Sequence, residues 1–272
     1  MLTKKFSSFI FILPVVILVT LLVAIPVFYT VWISLYKDIG SSGLPVGFIG
    51  MKNFIRVFTN PNFFAAFGRT AVFVGFSMVF KVVVGLAVAV LLNRDFIGRN
   101  IVRGVIILPW VLPLFVTALI WYSMFQASGP VNNLITTLGL PSINWWGQRA
   151  MLSIILVNIW KGFPFFFMGF LSGMQGISKR LYEAARIDGA SAWQSFWRIT
   201  LPQLKPVLLI LTLLSTIWTF AEFVDLNIMT GGGPGRQTEV LSIFIYNTAF
   251  KQFNTTLAAA ASVVILPLYV LL

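Results

Sequence analysis

Six runs of this chain are almost free of charge, and most are long enough to cross a lipid bilayer. Residues 6–36, 104–125 and 257–272 hold no charged side chain; 70–92 carries only Lys81, 150–170 only Lys161, and 207–228 only Glu222 and Asp225. A helix spans the hydrocarbon of a bilayer with about 20 residues and satisfies all its backbone polar groups internally, so runs of this kind fold as membrane-spanning helices. With 58% hydrophobic and 10% charged residues, the chain does not read as a water-soluble globule. The expected fold is all-α: a polytopic membrane protein of about six transmembrane helices, forming a single domain over residues 1–272. The closing run is short for a crossing at about 16 residues, which points to a stop inside the final helix or a missing cytoplasmic tail.

Lys4 and Lys5 precede the first run as in a signal peptide, but the run far exceeds a signal core of about 7–15 residues, so it is expected to stay as an uncleaved span. Basic residues set the orientation. With the N-terminus inside, three (Arg94, Arg99, Arg103) fall in the short inner connection, against one (Arg149) in the second outer loop at 127–149. The net charge of +12 does not indicate a nucleic-acid surface, because the basic residues are scattered between spans and form no stripe. With no cysteine and no histidine, disulfide frameworks, thiolate metal sites and histidine proton shuttles are excluded; no metal site and no catalytic constellation is expected. The glycine-rich run from Met229 to Gly235 is followed by Arg236-Gln237, not the Gly-Lys-Ser/Thr of a phosphate loop. The pair Trp145-Trp146 reads as an interfacial belt, with sugar stacking as the alternative.

One segment breaks the oily pattern. Residues 173–205, between the fourth and fifth runs, are basic overall and amphipathic. Ile177, Leu181, Ala184 and Ala185 share a helical face, Asp188-Gly189 breaks that helix, and Ser191-Ala192-Trp193-Gln194 fits a capping box that starts a second. Trp193, Phe196, Trp197 and Thr200 form a stripe on this second helix, which Leu201-Pro202 and Pro206 are expected to end. On residues alone this is either a helix pair lying in the membrane interface with snorkelling arginines or a knob for another protein's cleft.

The run Glu183-Ala184-Ala185, then Asp188-Gly189-Ala190, Phe196, Ile199, Leu201-Pro202 and Pro206 resembles the EAA loop of ABC importer permeases. Phe223-Val224-Asp225-Leu226, Met229 to Pro234, Tyr246 and Ala249-Phe250 resemble the binding-protein-dependent carbohydrate permeases of the maltose-importer type, as does Asn60-Pro61-Asn62-Phe63 with Thr70, although that family usually has asparagine where this chain has Arg69. The resemblance implies a type I ABC importer fold in which residues 173–205 are the coupling loop. Glu183 would sit at the ATPase cleft, with Ala184, Ala185, Asp188 and Ala190 around it. Gly189 would supply the turn, Trp193, Phe196 and Trp197 would brace the second helix, and Leu201-Pro202 would close the motif. The implied partners are a second permease in a heterodimer, two ATP-binding subunits, an extracytoplasmic solute-binding protein and a carbohydrate. ATP and magnesium would lie on the ATPase subunits and no cofactor on this chain. The implied location is a bacterial or archaeal plasma (inner) membrane, multi-pass, N-terminus cytoplasmic.

Acids inside a span are costly and mark function by default. Glu222 and Asp225, three apart, are expected on one helical face with Thr219, and Asn158 and Trp160 near Lys161 could add a hydrogen bond and a stacking face to a cargo path. Lys81 and Lys161 are candidate ion-pair partners for the two acids, so a structural ion pair, a sugar-lined path and a proton relay all remain open. The leading function is a non-catalytic permease subunit of an ATP-driven carbohydrate importer; the alternative is an ion-coupled secondary transporter, in which the 183–202 segment has no evident task.

Overall fold

The computed structural model describes residues 2–271, with side chains from Phe11 onward; the Lys4 and Lys5 side chains and Leu272 lie outside the described residues. In chain order the helices are α1 (Leu2–Val19), α2 (Ile25–Ser34), α3 (Lys52–Phe58), α4 (Pro61–Leu92), α5 (Arg99–Val111), α6 (Leu114–Met124), α7 (Pro130–Thr137), α8 (Ala150–Gln175), α9 (Lys179–Ile187), α10 (Ala192–Ser195), α11 (Leu201–Phe220), α12 (Val224–Met229), α13 (Leu241–Tyr246) and α14 (Thr255–Leu271). An antiparallel hairpin, β1 (Tyr36–Ile39) and β2 (Pro45–Phe48), follows α2, with Tyr36 opposite Phe48 and Asp38 opposite Val46. The fold is thus all-α apart from this hairpin.

Four stretches are long and apolar enough to cross a membrane: Phe11–Ser34, Pro61–Leu92, Ala150–Gln175 and Ala192–Phe220. The second and the fourth of the six apolar runs lie within such helices, and the first is helical as far as Ser34, its last residue Tyr36 opening β1. The third run differs from the expected single span: α5 and α6 are bent 96° apart. Leu112 is driven extended (φ −63°, ψ 138°) by the proline that follows it, and Pro113 is extended in turn, so the helix cannot pass. The fifth run also differs. Its helix stops at Phe220, Glu222 lies in the break, and Asp225 lies in the first turn of the separate short helix α12. The last run forms α14, 17 residues long.

Two helices widen into π turns just before a proline. Ile25 N–H bonds Thr20 O, five residues back, ahead of Pro26, and Leu201 N–H bonds Phe196 O ahead of Pro202. A proline has no amide and its ring crowds the carbonyl four residues back; a widened turn gives the ring room without ending the helix. Leu201-Pro202 and Pro206 therefore do not end the second helix of the 173–205 segment, as their breaker chemistry suggests. That helix runs unbroken in direction from Ala192 to Phe220.

The chain divides into two compact units. In the first (residues 1–65 and 244–271), α14 packs on α2, α3 and β1. Buried Asn53 donates to Ser34 O (2.9 Å) and Tyr36 O (2.8 Å), and Thr256 donates to Lys37 O at 3.0 Å, fixing the hairpin to the helices. None of the apolar window in Phe11–Ser34 is buried, so this helix needs lipid or another chain against it. In the second (residues 66–243), α8 packs on α5 and α11 and α6 on α12 around fully buried Phe73, Phe166, Phe167, Phe170, Leu204 and Leu226. The tryptophan pair packs against this interior: Trp145 stacks on Phe125 (4.7 Å) and donates to Asn132 Oδ1, while half-buried Trp146 stacks on Tyr122 (5.3 Å).

Candidate functional site

Two constellations in the second unit hold the candidate residues. The first is the charged segment. Helix α9 ends in a left-handed turn at Gly189 (φ +77°), with Ala190 N–H bonded to Ala185 O (2.8 Å) and Gly189 N–H to Arg186 O (3.1 Å). This is a Schellman termination, and glycine fits it because a Cβ opposes positive φ. The next helix begins two residues on with a full capping box: Gln194 N–H donates to Ser191 Oγ (3.2 Å) and Ser191 N–H to Gln194 Oε1 (2.8 Å). The turn between the two helices is thus specified on both sides.

Glu183, Ala184, Asp188 and Gly189 are exposed on it, Ala185 and Ala190 less so. Trp193, Phe196 and Trp197 form one aromatic cluster, with Trp193 5.5 Å from Trp197 and Phe196 5.4 Å from Trp197, yet Trp193 remains 69% exposed. Leu201 and Pro202 begin α11. A contact absent from sequence reasoning ties the two helices together: Tyr182 hydroxyl and Thr200 Oγ1 share a hydrogen bond at 2.9 Å.

The second constellation lies among α4, α8 and α11. Lys161 of α8 donates to Glu222 Oε2 at 2.8 Å and also pairs with Asp225. Lys81 of α4 is buried and donates to Thr219 Oγ1 of α11 at 2.9 Å; among the described residues no carboxylate forms an ion pair with it, so only one of the two lysines is an ion-pair partner of the acids. Lys81 reaches Thr219 across Gly162, where any Cβ would collide with the lysine's own stem. The spacing of Lys81 and Gly162 gives no hint of this.

A small cavity of about 80 Å³ opens among Lys81, Asn158, Lys161, Thr219 and Glu222. Its aromatic wall, missed in the sequence, is Trp110 stacked on Phe165 (6.1 Å), with Phe165 edge-on to Trp218 (5.1 Å). Asn158 Oδ1 is buried there without a hydrogen-bond partner. Two candidates are placed elsewhere. Trp160 packs edge-on against Trp121 (5.3 Å) and does not line the cavity. Asp225 is buried behind it on α12, held by Lys161, because the helix break at residues 221–223 turns it off the α11 face.

Arranged this way, the cavity offers hydroxyl, amide, carboxylate and ammonium groups beside flat aromatic rings, a combination suited to a polyhydroxylated ligand. The charged segment offers a rigid exposed knob on the end of a helix that also carries Thr219.

A family model described as "Binding-protein-dependent transport system inner membrane component" matches residues 81–272. The trehalose/maltose transport system permease protein MalF of Thermococcus litoralis is 36% identical over 244 residues, 88% of this chain and 82% of that protein. The inner membrane ABC transporter permease protein YcjO of Escherichia coli is 32% identical over 261 residues, 93% of this chain and 86% of that protein. Among solved structures, a chain of a bacterial alginate ABC transporter in complex with an alginate pentasaccharide-bound periplasmic protein superposes with a TM-score of 0.84 at 22% identity, covering 99% of this chain and 92% of its own. At that identity the likeness is one of fold. The chain belongs to the family of binding-protein-dependent transport system inner membrane components.

Proposed function

We propose that this chain is the permease subunit of an ATP-driven importer for a carbohydrate in a bacterial or archaeal plasma membrane, multi-pass, with its N-terminus in the cytoplasm. It works with a second permease, two ATP-binding subunits that hold ATP and magnesium, and an extracytoplasmic solute-binding protein. The observation that carries the reading is the continuity of Ala192–Phe220: one helix of 29 residues joins the exposed knob to Thr219 at the cavity. At about 1.5 Å per residue it is about 43 Å long, enough to transmit a push on the knob to the cargo path. Glu183 and the Asp188–Ala190 turn are the docking surface in this account. Trp193, Phe196 and Trp197 stiffen the root of the lever. Thr219, Glu222 and Asn158 contact cargo hydroxyls, and the rings of Trp110, Phe165 and Trp218 face sugar planes.

The relatives favour a sugar cargo, since the Thermococcus protein carries trehalose and maltose in its name. The alternative, an ion-coupled carrier, gives the exposed segment around Glu183 and the Asp188–Ala190 turn no task.

ATP-dependent uptake of maltose or trehalose by the reconstituted complex tests this. Thr219→Ala and Glu222→Gln are each expected to lower uptake by about tenfold through lost hydrogen bonds, measured on complex whose assembly is checked alongside. Unchanged uptake in both variants would remove this cavity from the path.

A further inference from the structure

A second, larger cavity lies against the knob and shares Ala190 and Phe196 with the segment that the transport reading uses, but the transport reading gives its polar lining no role. It measures about 310 Å³, within the range of small-molecule sites, and its polar lining is Asn93 at the end of α4, Tyr182 and Arg186 of α9, and Ser195 and Thr200 beyond the capping box. Arg186 is its one charged lining residue, and no carboxylate faces it. Among the described residues neither an ion pair nor a hydrogen bond engages the Arg186 guanidinium, although Arg99 and Arg236 both find acids.

Tyr182 and Thr200 share one hydrogen bond between two hydroxyls, which leaves one O–H of the pair free to donate. Ser195 and Asn93 add further donors. A concave site rich in donors, with one unpaired guanidinium and no acid, suits an anion with several acceptor oxygens, and a guanidinium matches a phosphate by paired hydrogen bonds.

We propose that this cavity binds a phosphate group, bridging the α9–α10 knob to the end of α4. The group can come from an anionic phospholipid headgroup or from a soluble phosphate ester; the recognition chemistry is the same. The proposal shares Ala190 and Phe196 with the docking segment of the importer reading but does not depend on that reading, since it rests on the cavity and Arg186.

The test uses the chain purified with whatever subunits accompany it. Glycerol 3-phosphate is titrated calorimetrically into the detergent-solubilised complex, and native mass spectrometry reads phosphatidylglycerol retained by complex extracted from membranes containing it. At least one probe is expected to bind the wild type, with Arg186→Gln weakening it by about tenfold or more and Arg198→Gln, at a basic residue outside the lining, leaving it unchanged. An Arg186-dependent titration assigns a soluble ester; Arg186-dependent retention without a titration assigns the lipid headgroup. Binding of neither probe, or binding that is equal in wild type and Arg186→Gln, overturns the proposal. Arg186 is exposed and unpartnered, so the substitution leaves the fold unchanged.

Discussion

Lys161→Met is expected to destabilise the folded protein more than any other single substitution in the cavity. The Glu222 and Asp225 side chains are only 12% and 6% exposed, and both depend on this one ammonium. Removing it strands two buried carboxylates beside each other, a loss of about 3–5 kcal/mol for a broken buried pair. Lys81→Met is the control: that lysine donates to the neutral Thr219 hydroxyl, and its removal forfeits one hydrogen bond of about 1 kcal/mol. Thermal unfolding in detergent should therefore show a large drop in midpoint for Lys161→Met and a small one for Lys81→Met. The triple change Lys161→Met, Glu222→Gln, Asp225→Asn should recover most of the loss, since no unpaired charge remains. If Lys161→Met unfolds at the wild-type temperature, the triad is not a structural ion pair.

Gly189→Val is expected to separate ATP hydrolysis from uptake. At φ +77° a β-branched residue is strained by about 1–3 kcal/mol, equivalent to about 5- to 150-fold in the population holding the native turn. A Cβ built at Gly189 meets no atom within 4 Å, so the change acts on the backbone of the turn and not on the packing around it. In proteoliposomes containing the assembled complex, hydrolysis should persist while uptake falls by about an order of magnitude. Gly189→Asn should stay close to wild type, because asparagine tolerates the left-handed region. Equal uptake in Gly189→Val and wild type would remove the turn from the coupling path.

The parts of this molecule legible in its sequence are those set by local chemistry. Ser191 and Gln194 specify their capping box within four residues, and Asp188-Gly189-Ala190 marks the end of α9 without reference to anything distant. The parts that resist reading are decided across the chain or by competing local rules. Hydropathy runs unbroken through Leu112-Pro113, yet the extended backbone before proline splits that run into α5 and α6. It also runs through Phe220–Phe223, where a break sends Glu222 and Asp225 off the α11 face toward a lysine more than sixty residues upstream. Pro45 lies in an edge strand of the hairpin, a place where proline is tolerated and which hydropathy does not mark. Pro202 looks like a helix end, and a π turn absorbs it. The choice of Lys161 over Lys81 as ion-pair partner follows from three-dimensional packing alone.

The central claim, that the Glu183–Pro202 segment docks this permease onto an ATPase, is tested most directly by affinity purification of the full chain from its own membrane in gentle detergent, with identification of every protein that accompanies it. The account predicts a second permease and an ATP-binding subunit, with the ATP-binding subunit lost and the second permease kept when Gly189 is replaced by tryptophan, whose indole, unlike the small valine side chain, projects from the turn far enough to block docking. Recovery of the chain alone, or only with copies of itself, would contradict the account.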